Sequence, residues 1–148
     1  PMYSHPEYVQ AFASANGLTF HAATNWNDLT AYSNTLRDTN STTLIADYDE
    51  TAQFANNGDD SLTARTTYTV YCFAPAEVGN PLSAPAAKHQ AREIIDEYIR
   101  VLLRDAYSCR EGLTHLDRSS IEVTTLGMLG DWSFGLMLSY TVVTSFNY

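Results

Sequence analysis

The chain has 148 residues, of which 45% are hydrophobic and 17% are charged. This length fits one domain with an ordinary core, and this composition favours a globular chain over a disordered one. Seventeen acidic and eight basic residues give a net charge of −9, which disfavours a nucleic-acid backbone or an anionic lipid surface as a partner. The sequence therefore predicts a single globular domain over residues 1–148, without specific nucleic-acid binding.

Segments that would direct the chain to a membrane are not found in the sequence. No apolar run approaches the roughly 18 residues that a transmembrane helix needs. The N-terminal residues do not follow the basic-then-apolar order of a signal peptide. We therefore expect neither a membrane span nor a signal peptide.

The N-terminal part of the sequence predicts a helix followed by a short strand. Apolar residues at helical spacing between Ser4 and Gly17 predict a capped helix of about three turns. Alternating residues at 18–22 predict a short strand. A second helical segment is expected to begin at Thr24 or Asn25, with an apolar face formed by Trp26, Leu29, Tyr32 and Leu36.

Two strand candidates with an acidic segment between them occupy the middle of the sequence. Residues 43–49 predict a short strand and residues 63–73 a longer one, so the two are expected to form a wide hairpin. The loop between them is expected to be solvated. Its carboxylates are also candidate calcium ligands, although their spacing is not that of an EF-hand. These acidic-loop residues are Asp47, Asp49, Glu50, Asp59 and Asp60.

Residues 83–107 predict the longest helix of the chain. Charged residues on its polar side predict ion pairs between successive turns. The apolar stripe is wide enough to lie across a sheet. It consists of Ala87, Ala91, Ile94, Ile95, Tyr98, Val101, Leu102 and Ala106.

The C-terminal segment predicts two strands, at 121–125 and 132–146, and the second is unusually long. Extended, it spans about 50 Å, whereas a compact domain of this length has a diameter of about 40 Å. The strand must therefore bend, with Gly135 as a candidate point, or reach another subunit. The candidate interface residues on it are Trp132, Phe134, Leu136, Leu138, Tyr140 and Val142.

Together these elements predict the α+β class. We expect a single, mainly antiparallel sheet with one long helix packed on one face and an additional N-terminal helix. Helix and strand signals do not recur at a fixed period, so a repeat architecture is not expected.

Patterns that indicate catalysis or cofactor binding are not found in the sequence. The four histidines lack the spacing of a metal site, and neither a nucleophile motif nor a glycine-rich nucleotide loop occurs. Cys72 and Cys109 are expected to be reduced thiols, with one disulfide as the alternative. We therefore predict that the protein is not an enzyme and requires no cofactor or metal.

The order and size of the elements resemble a family of viral assembly proteins. An N-terminal helix, a strand pair, one long helix and a final strand pair with large alternating apolar residues are similar to the tail-terminator and tail-completion (neck) proteins of tailed bacteriophages. The resemblance covers most of the chain and rests on residues 63–75, 83–107 and 121–146.

The resemblance implies a homo-oligomeric ring, commonly a hexamer. Such a ring ends the tail tube, joins it to the head connector and contacts other tail or neck proteins. The resemblance also implies a location in the virion after synthesis in the host cytoplasm, with no membrane partner.

Two other protein classes remain open at the level of the sequence. One is a small α+β pocket protein, similar to the nuclear-transport-factor-2-like families, that binds or converts a small molecule. The other is a secreted or surface adhesion module, for which a Cys72–Cys109 disulfide and calcium in the acidic loop are expected.

Overall fold

The computed structural model describes residues 2–23, 41–56, 61–77, 79–130 and 132–147. Within these ranges the chain forms two helices and one five-stranded sheet, so the predicted α+β class is confirmed. The helical segment predicted after Thr24 lies outside the described residues. In chain order the elements are α1 (His5–Ala15), β1 (Thr19–Ala23), β2 (Thr43–Asn56), β3 (Ser61–Pro75), α2 (Ser83–Tyr107), β4 (Leu116–Leu129) and β5 (Ser133–Asn147).

The strand order in the sheet is β1-β2-β3-β5-β4. β1 is parallel to β2, and the other described pairs are antiparallel, as predicted for a mainly antiparallel sheet. The central strand β3 pairs with β5 along its whole length, from Ser61 opposite Asn147 to Pro75 opposite Ser133. The long C-terminal strand is therefore matched by an equally long neighbour within its own subunit.

Both helices pack on the same face of the sheet. α2 lies against β3 and β5, and α1 lies against β1 and β2. The apolar stripe predicted for α2 provides its buried side, because residues one helical turn apart point in the same direction. The core between helices and sheet includes Val9, Phe12, Leu44, Val70, Cys72, Ile95, Tyr98, Leu102, Leu138 and Tyr140.

The opposite face of the sheet carries a smaller apolar cluster around Phe73. Its buried members are Ala23, Ile45, Tyr71 and Phe73. Phe73 pairs with Gly135 across the strands, and a Cβ atom built on Gly135 would overlap the Phe73 ring. Because Gly135 has no side chain, the Phe73 ring can pack over this position on the sheet.

The bend predicted at Gly135 coincides with an irregularity in the neighbouring strand. Thr125 pairs with Leu136 and Gly127 pairs with Gly135, so Leu126 is an extra residue in β4. Gly127 has a φ of 86°, which a glycine adopts at little steric cost. This arrangement is a β-bulge, which locally increases the twist of the sheet.

Two expectations from the sequence need correction. β2 does not end near Asp49 but continues to Asn56, so Asp47, Asp49 and Glu50 lie in a strand rather than in a loop. Asp47 pairs with Thr69 of β3 and pairing resumes at Thr51, so pairing on both sides holds the acidic residues between them in the strand despite their low strand propensity. Ser4 occupies the N-cap position of α1, but its side chain makes no capping hydrogen bond.

Candidate assembly surface

Three paired strands form an arm at the end of the sheet opposite Pro75. We call residues 51–56 of β2, 61–67 of β3 and 141–147 of β5 the distal arm. The stretch of β2 from 48 to 56 is exposed at every position. Because successive residues of a strand point to opposite faces, both faces of β2 are in contact with water there.

The distal arm is almost free of charge, although the chain as a whole is strongly acidic. Arg65 is the only charged residue in its three segments. Its Nη2 atom lies 2.5 Å from Oδ2 of Asp117 in β4, so this charge is paired within the subunit. An exposed aromatic side chain, Phe54, is 61% accessible at the outer strand. An uncharged exposed sheet lacks the charged side chains that usually prevent pairing between molecules.

Open strand edges lie on both sides of the sheet in the part of the chain that the structure describes. β4 has β5 on one side and no described strand on the other. β1 covers β2 at 43–47, and no described strand covers the outer side of β2 from 51 to 56. Unpaired strand edges present backbone donors and acceptors to which another chain can add.

The residues predicted as a subunit interface lie mostly inside the subunit. Leu136, Leu138, Tyr140 and Val142 are buried against the helices, and only Trp132 and Phe134 are partly exposed. Their regular alternation marks the core face of β5, which is the usual origin of such a pattern. Four of the six side chains therefore have no surface to offer a partner, and the exposed candidates are the strand edges and the distal arm.

The acidic residues of β2 lie at an irregular point of the sheet. The register of β2 and β3 shifts between Asp47 and Thr51. Oδ1 of Asp47 accepts a hydrogen bond from the backbone N–H of Asp49 at 2.9 Å, which supports this shift. Burial, followed by the nearby Asp47 carboxylate, raises the pKa of Tyr71 to about 12. Asp59 and Asp60 of the predicted acidic loop lie outside the described residues.

A chain of hydrogen bonds joins four buried side chains beneath α1. Nε2 of His5 lies 2.7 Å from the carbonyl oxygen of Thr69. Because a carbonyl only accepts, Nε2 carries the proton and Nδ1 accepts from the hydroxyl of Tyr3 at 2.9 Å. Tyr3 accepts from Tyr140, which accepts from Tyr98 at 2.7 Å. Each hydroxyl in this tyrosine–histidine cluster donates once, from Tyr98 towards His5.

Burial keeps the tyrosine–histidine cluster uncharged. It lowers the pKa of His5 from 6.5 to about 4, although the hydrogen bond to Thr69 opposes this change. Burial also raises the pKa of Tyr3, Tyr98 and Tyr140 above the usual value of 10. The hydrogen bonds of this cluster connect the N-terminal segment to the sheet and to α2.

Sequence reasoning did not find this cluster, although part of its signal was present. Tyr98 and Tyr140 both stand at apolar positions of predicted buried faces. A buried tyrosine hydroxyl usually requires a hydrogen-bond partner, so two such residues indicate a polar contact in the core. The partners Tyr3 and His5 are remote in sequence, and only the packing of α1 on the sheet brings them near.

A second buried polar contact joins the two helices. The hydroxyl of Tyr8 in α1 donates to Oδ2 of Asp105 in α2 at 2.7 Å. Burial, followed by the hydrogen bond to Asp105, raises the pKa of Tyr8. Nη2 of Arg104 lies 3.5 Å from the other oxygen of Asp105. The carboxylate of Asp105 thus has a donor on one oxygen and a nearby cation on the other.

Thiols and metal-binding groups do not converge in the described part of the chain. Cys72 is buried and Cys109 is exposed, and both are free thiols as expected. Burial raises the pKa of Cys72 to about 12, which makes it unreactive as a nucleophile. Within the described ranges, no three His, Cys, Asp or Glu side chains are close enough together to hold a metal ion.

Comparison with known proteins does not assign the chain to a family. Neither a scan against protein-family models nor a search of curated proteins gave a match. Among the described helices, none combines the length and apolar character needed to cross a bilayer.

Proposed function

We propose that the chain is a structural subunit of a viral assembly, and that it forms a ring that ends the tail tube of a tailed bacteriophage and joins it to the head connector. The distal arm carries this proposal, because its outer strand meets water on both faces and the arm contains a single charged residue. Strands of other chains can pair with such a sheet. In a ring, contact with neighbouring copies would cover the distal arm.

Strand directions support a head-to-tail arrangement of the copies. β2 and β5 run in the same direction because both are antiparallel to β3, and β4 runs opposite to them. When copies follow one another around an axis, the outer side of β4 meets the outer side of β2 in the next copy in antiparallel orientation. Antiparallel pairs are the commoner kind, and heterologous contacts of this type close into rings when the rotation permits.

The charge of the chain is consistent with a ring around DNA in transit. With a net charge of −9, including the acidic residues Asp47, Asp49 and Glu50, the subunit would repel a passing duplex rather than hold it. Weak interaction with the phosphate backbone suits a conduit, since strong binding would slow passage.

The alternative, a pocket protein similar to the nuclear-transport-factor-2-like families, needs a cavity between the long helix and the sheet. That space is filled by fully buried side chains, including Tyr98, Leu138 and Tyr140. Among the described residues this packing does not favour a ligand site between α2 and the sheet, so we do not propose the alternative.

Self-assembly is tested by the mass of the purified chain in solution. Light scattering over a wide concentration range, with negative-stain images, should give a closed ring of one stoichiometry. Phe54→Lys introduces a charge on the distal arm and should yield monomers. Leu82→Lys is the matched control, because Leu82 is 75% exposed and lies near Pro75, at the end of β3 opposite the arm. A monomeric parent chain, or equal effects of the two variants, would contradict the proposal.

The place of the ring in a virion needs a separate measurement. Gold-labelled antibodies against the chain should mark the junction of head and tail on tailed particles whose genome encodes it. Label along the whole tail tube, or none on the particles, would rule out the proposed position even if the purified chain forms rings.

A further inference from the structure

The two helices enclose a groove on the surface of the subunit. α1 and α2 lie on the same face of the sheet, and the hollow between them has a volume of about 510 Å³. Ala11, Phe12 and Ala15 of α1 and Val101 of α2 supply the apolar part of its lining. Ala11 and Ala15 are exposed and one helical turn apart, so this side of α1 has a low profile.

The groove continues past Phe12 along α1. A second hollow of about 330 Å³ shares Phe12 and Asn16 with the first and is also lined by Leu18 and Ile94. We call the two together the α1–α2 groove. It follows the whole length of α1, which is about 16 Å for 11 residues. An elongated ligand therefore fits it better than a compact one.

The rim of the groove is acidic. Glu7 and Glu111 border the first hollow, and Glu93 and Glu97 border the second. Asp105 adds a carboxylate at the first hollow, where Arg104 is the one basic residue among the lining groups that the structure describes. Carboxylates thus surround an apolar floor at both ends, and this charge favours a basic partner.

We propose that the α1–α2 groove binds a basic amphipathic helix of a partner protein. The apolar face of such a helix would lie on the floor, where the small side chains of Ala11 and Ala15 allow close approach, and its lysine and arginine residues would meet the acidic rim. Met2 is 89% exposed at one end of the groove and provides a flexible apolar contact. This inference is independent of the ring, because the groove lies on the helices and not on the strand edges.

A synthetic peptide tests the inference directly. The probe is a fluorescein-labelled helix of roughly 18 residues, about five turns, with leucine on one face and lysine on the other. Fluorescence anisotropy with the full chain should show saturable binding. Ala15→Arg should weaken binding about tenfold, because it fills the groove and adds a positive charge beside the acidic rim.

Ser14→Arg is the matched control for the peptide experiment. Ser14 is exposed on α1 beside Ala15 but does not line either hollow, so this variant changes the net charge equally and should alter affinity less than about twofold. Arginine retains high helix propensity at both positions. Ala11→Arg provides a second groove variant, expected to behave like Ala15→Arg.

Several results would overturn the inference. These are equal weakening by Ala15→Arg and Ser14→Arg, equally tight binding of a peptide with glutamate in place of lysine, and no saturation up to about 1 mM protein. Loss of self-association in Ala15→Arg but not in Ser14→Arg would show that a second copy of the chain occupies the groove instead of a partner.

Discussion

At the scale of single residues, the tyrosine–histidine cluster explains how the N-terminal segment is fixed. Tyr3 and His5 precede or begin α1, and their polar atoms reach the side chains of Tyr98 and Tyr140 and the backbone of β3. No buried side-chain nitrogen or oxygen in the described part of the chain lacks a hydrogen-bond partner. Removing one member leaves others unpaired, and an unpaired buried group costs about 1–3 kcal/mol.

The direction of the hydrogen bonds gives different costs to two similar substitutions. Tyr140→Phe removes one hydroxyl that both accepts a hydrogen bond from Tyr98 and donates one to Tyr3. Tyr98→Phe removes only the first donor of the chain. We expect Tyr140→Phe to lower the free energy of unfolding by about 1–3 kcal/mol and Tyr98→Phe by about 1 kcal/mol, measured by urea denaturation. Equal or reversed losses would contradict the central place of Tyr140 among these hydrogen bonds.

The low pKa of His5 predicts a stability that depends on pH. Since the pKa is about 4 in the folded chain and 6.5 ordinarily, the unfolded chain binds a proton more readily between these values. His5 therefore contributes up to about 3 kcal/mol to the free energy of unfolding. This contribution is complete above pH 6.5 and is lost as the pH falls through 4.

Comparison with His5→Gln isolates this effect. Glutamine retains a donor and an acceptor but does not titrate. Urea unfolding between pH 7.5 and about 4.5 should show a smaller loss of stability in the variant than in the parent. Burial also lowers the pKa of His21, and this residue remains in both proteins. Parallel pH profiles of the two proteins would therefore show that His5 does not cause the loss of stability at low pH.

At the scale of elements, β3 and β5 form the structural axis of the sheet. They pair over fifteen positions, and the register between β4 and β5 shifts where β4 carries extra residues. At one of these places, between Asp117 and Glu122, Oγ of Ser120 accepts a hydrogen bond from the backbone N–H of Thr141 at 2.8 Å. A side chain thus replaces a ladder bond that the irregular register removes.

The contact between Phe73 and Gly135 shows how closely the two strands are fitted. Gly135→Ala should cost about 1–3 kcal/mol in free energy of unfolding, because the added Cβ displaces a ring that is almost fully buried. Urea denaturation of Gly135→Ala, Phe73→Leu and the double variant measures the coupling. The double variant should lose less than the sum of the single variants, and strictly additive losses would show that the ring and the added methyl group do not meet.

At the scale of the whole molecule, charge and apolar surface are separated. Acidic residues occur on α2, around the α1–α2 groove and where the register of β2 shifts. In the distal arm, by contrast, Arg65 is the only charged residue. Exposed ion pairs on α2, such as Arg100 with Glu97 at 2.9 Å, contribute little to stability because water screens them. Neighbouring copies would therefore repel one another through their net charge and attract one another through the uncharged arm.

This separation predicts the effect of salt on assembly. Association of subunits with a net charge of −9 should tighten when salt rises from about 0.05 M to about 0.5 M, because the Debye length shortens and the repulsion weakens. Light scattering at fixed protein concentration should then give a larger mean mass. A mass that falls with salt would indicate that ion pairs between copies hold the assembly together.

The sequence by itself determined the local elements of this protein. The α2 helix begins and ends at Ser83 and Tyr107 as predicted, and the alternation predicted for β5 places Phe134, Leu136, Leu138, Tyr140 and Val142 on one face. These features follow from hydrophobic periodicity, which depends on neighbours within a few residues. The same periodicity did not tell a core face from a subunit interface, since both bury apolar side chains.

Only the tertiary structure decided the features that depend on distant residues. Pairing with β3 makes a strand of the acidic segment at Asp47, the packing of α1 brings His5 to Tyr140 through Tyr3, and the core takes the apolar face of β5. The uncharged arm and the α1–α2 groove likewise arise where elements meet. Contacts between residues far apart in the chain are set by packing and by the closure of long loops, and no local pattern encodes them.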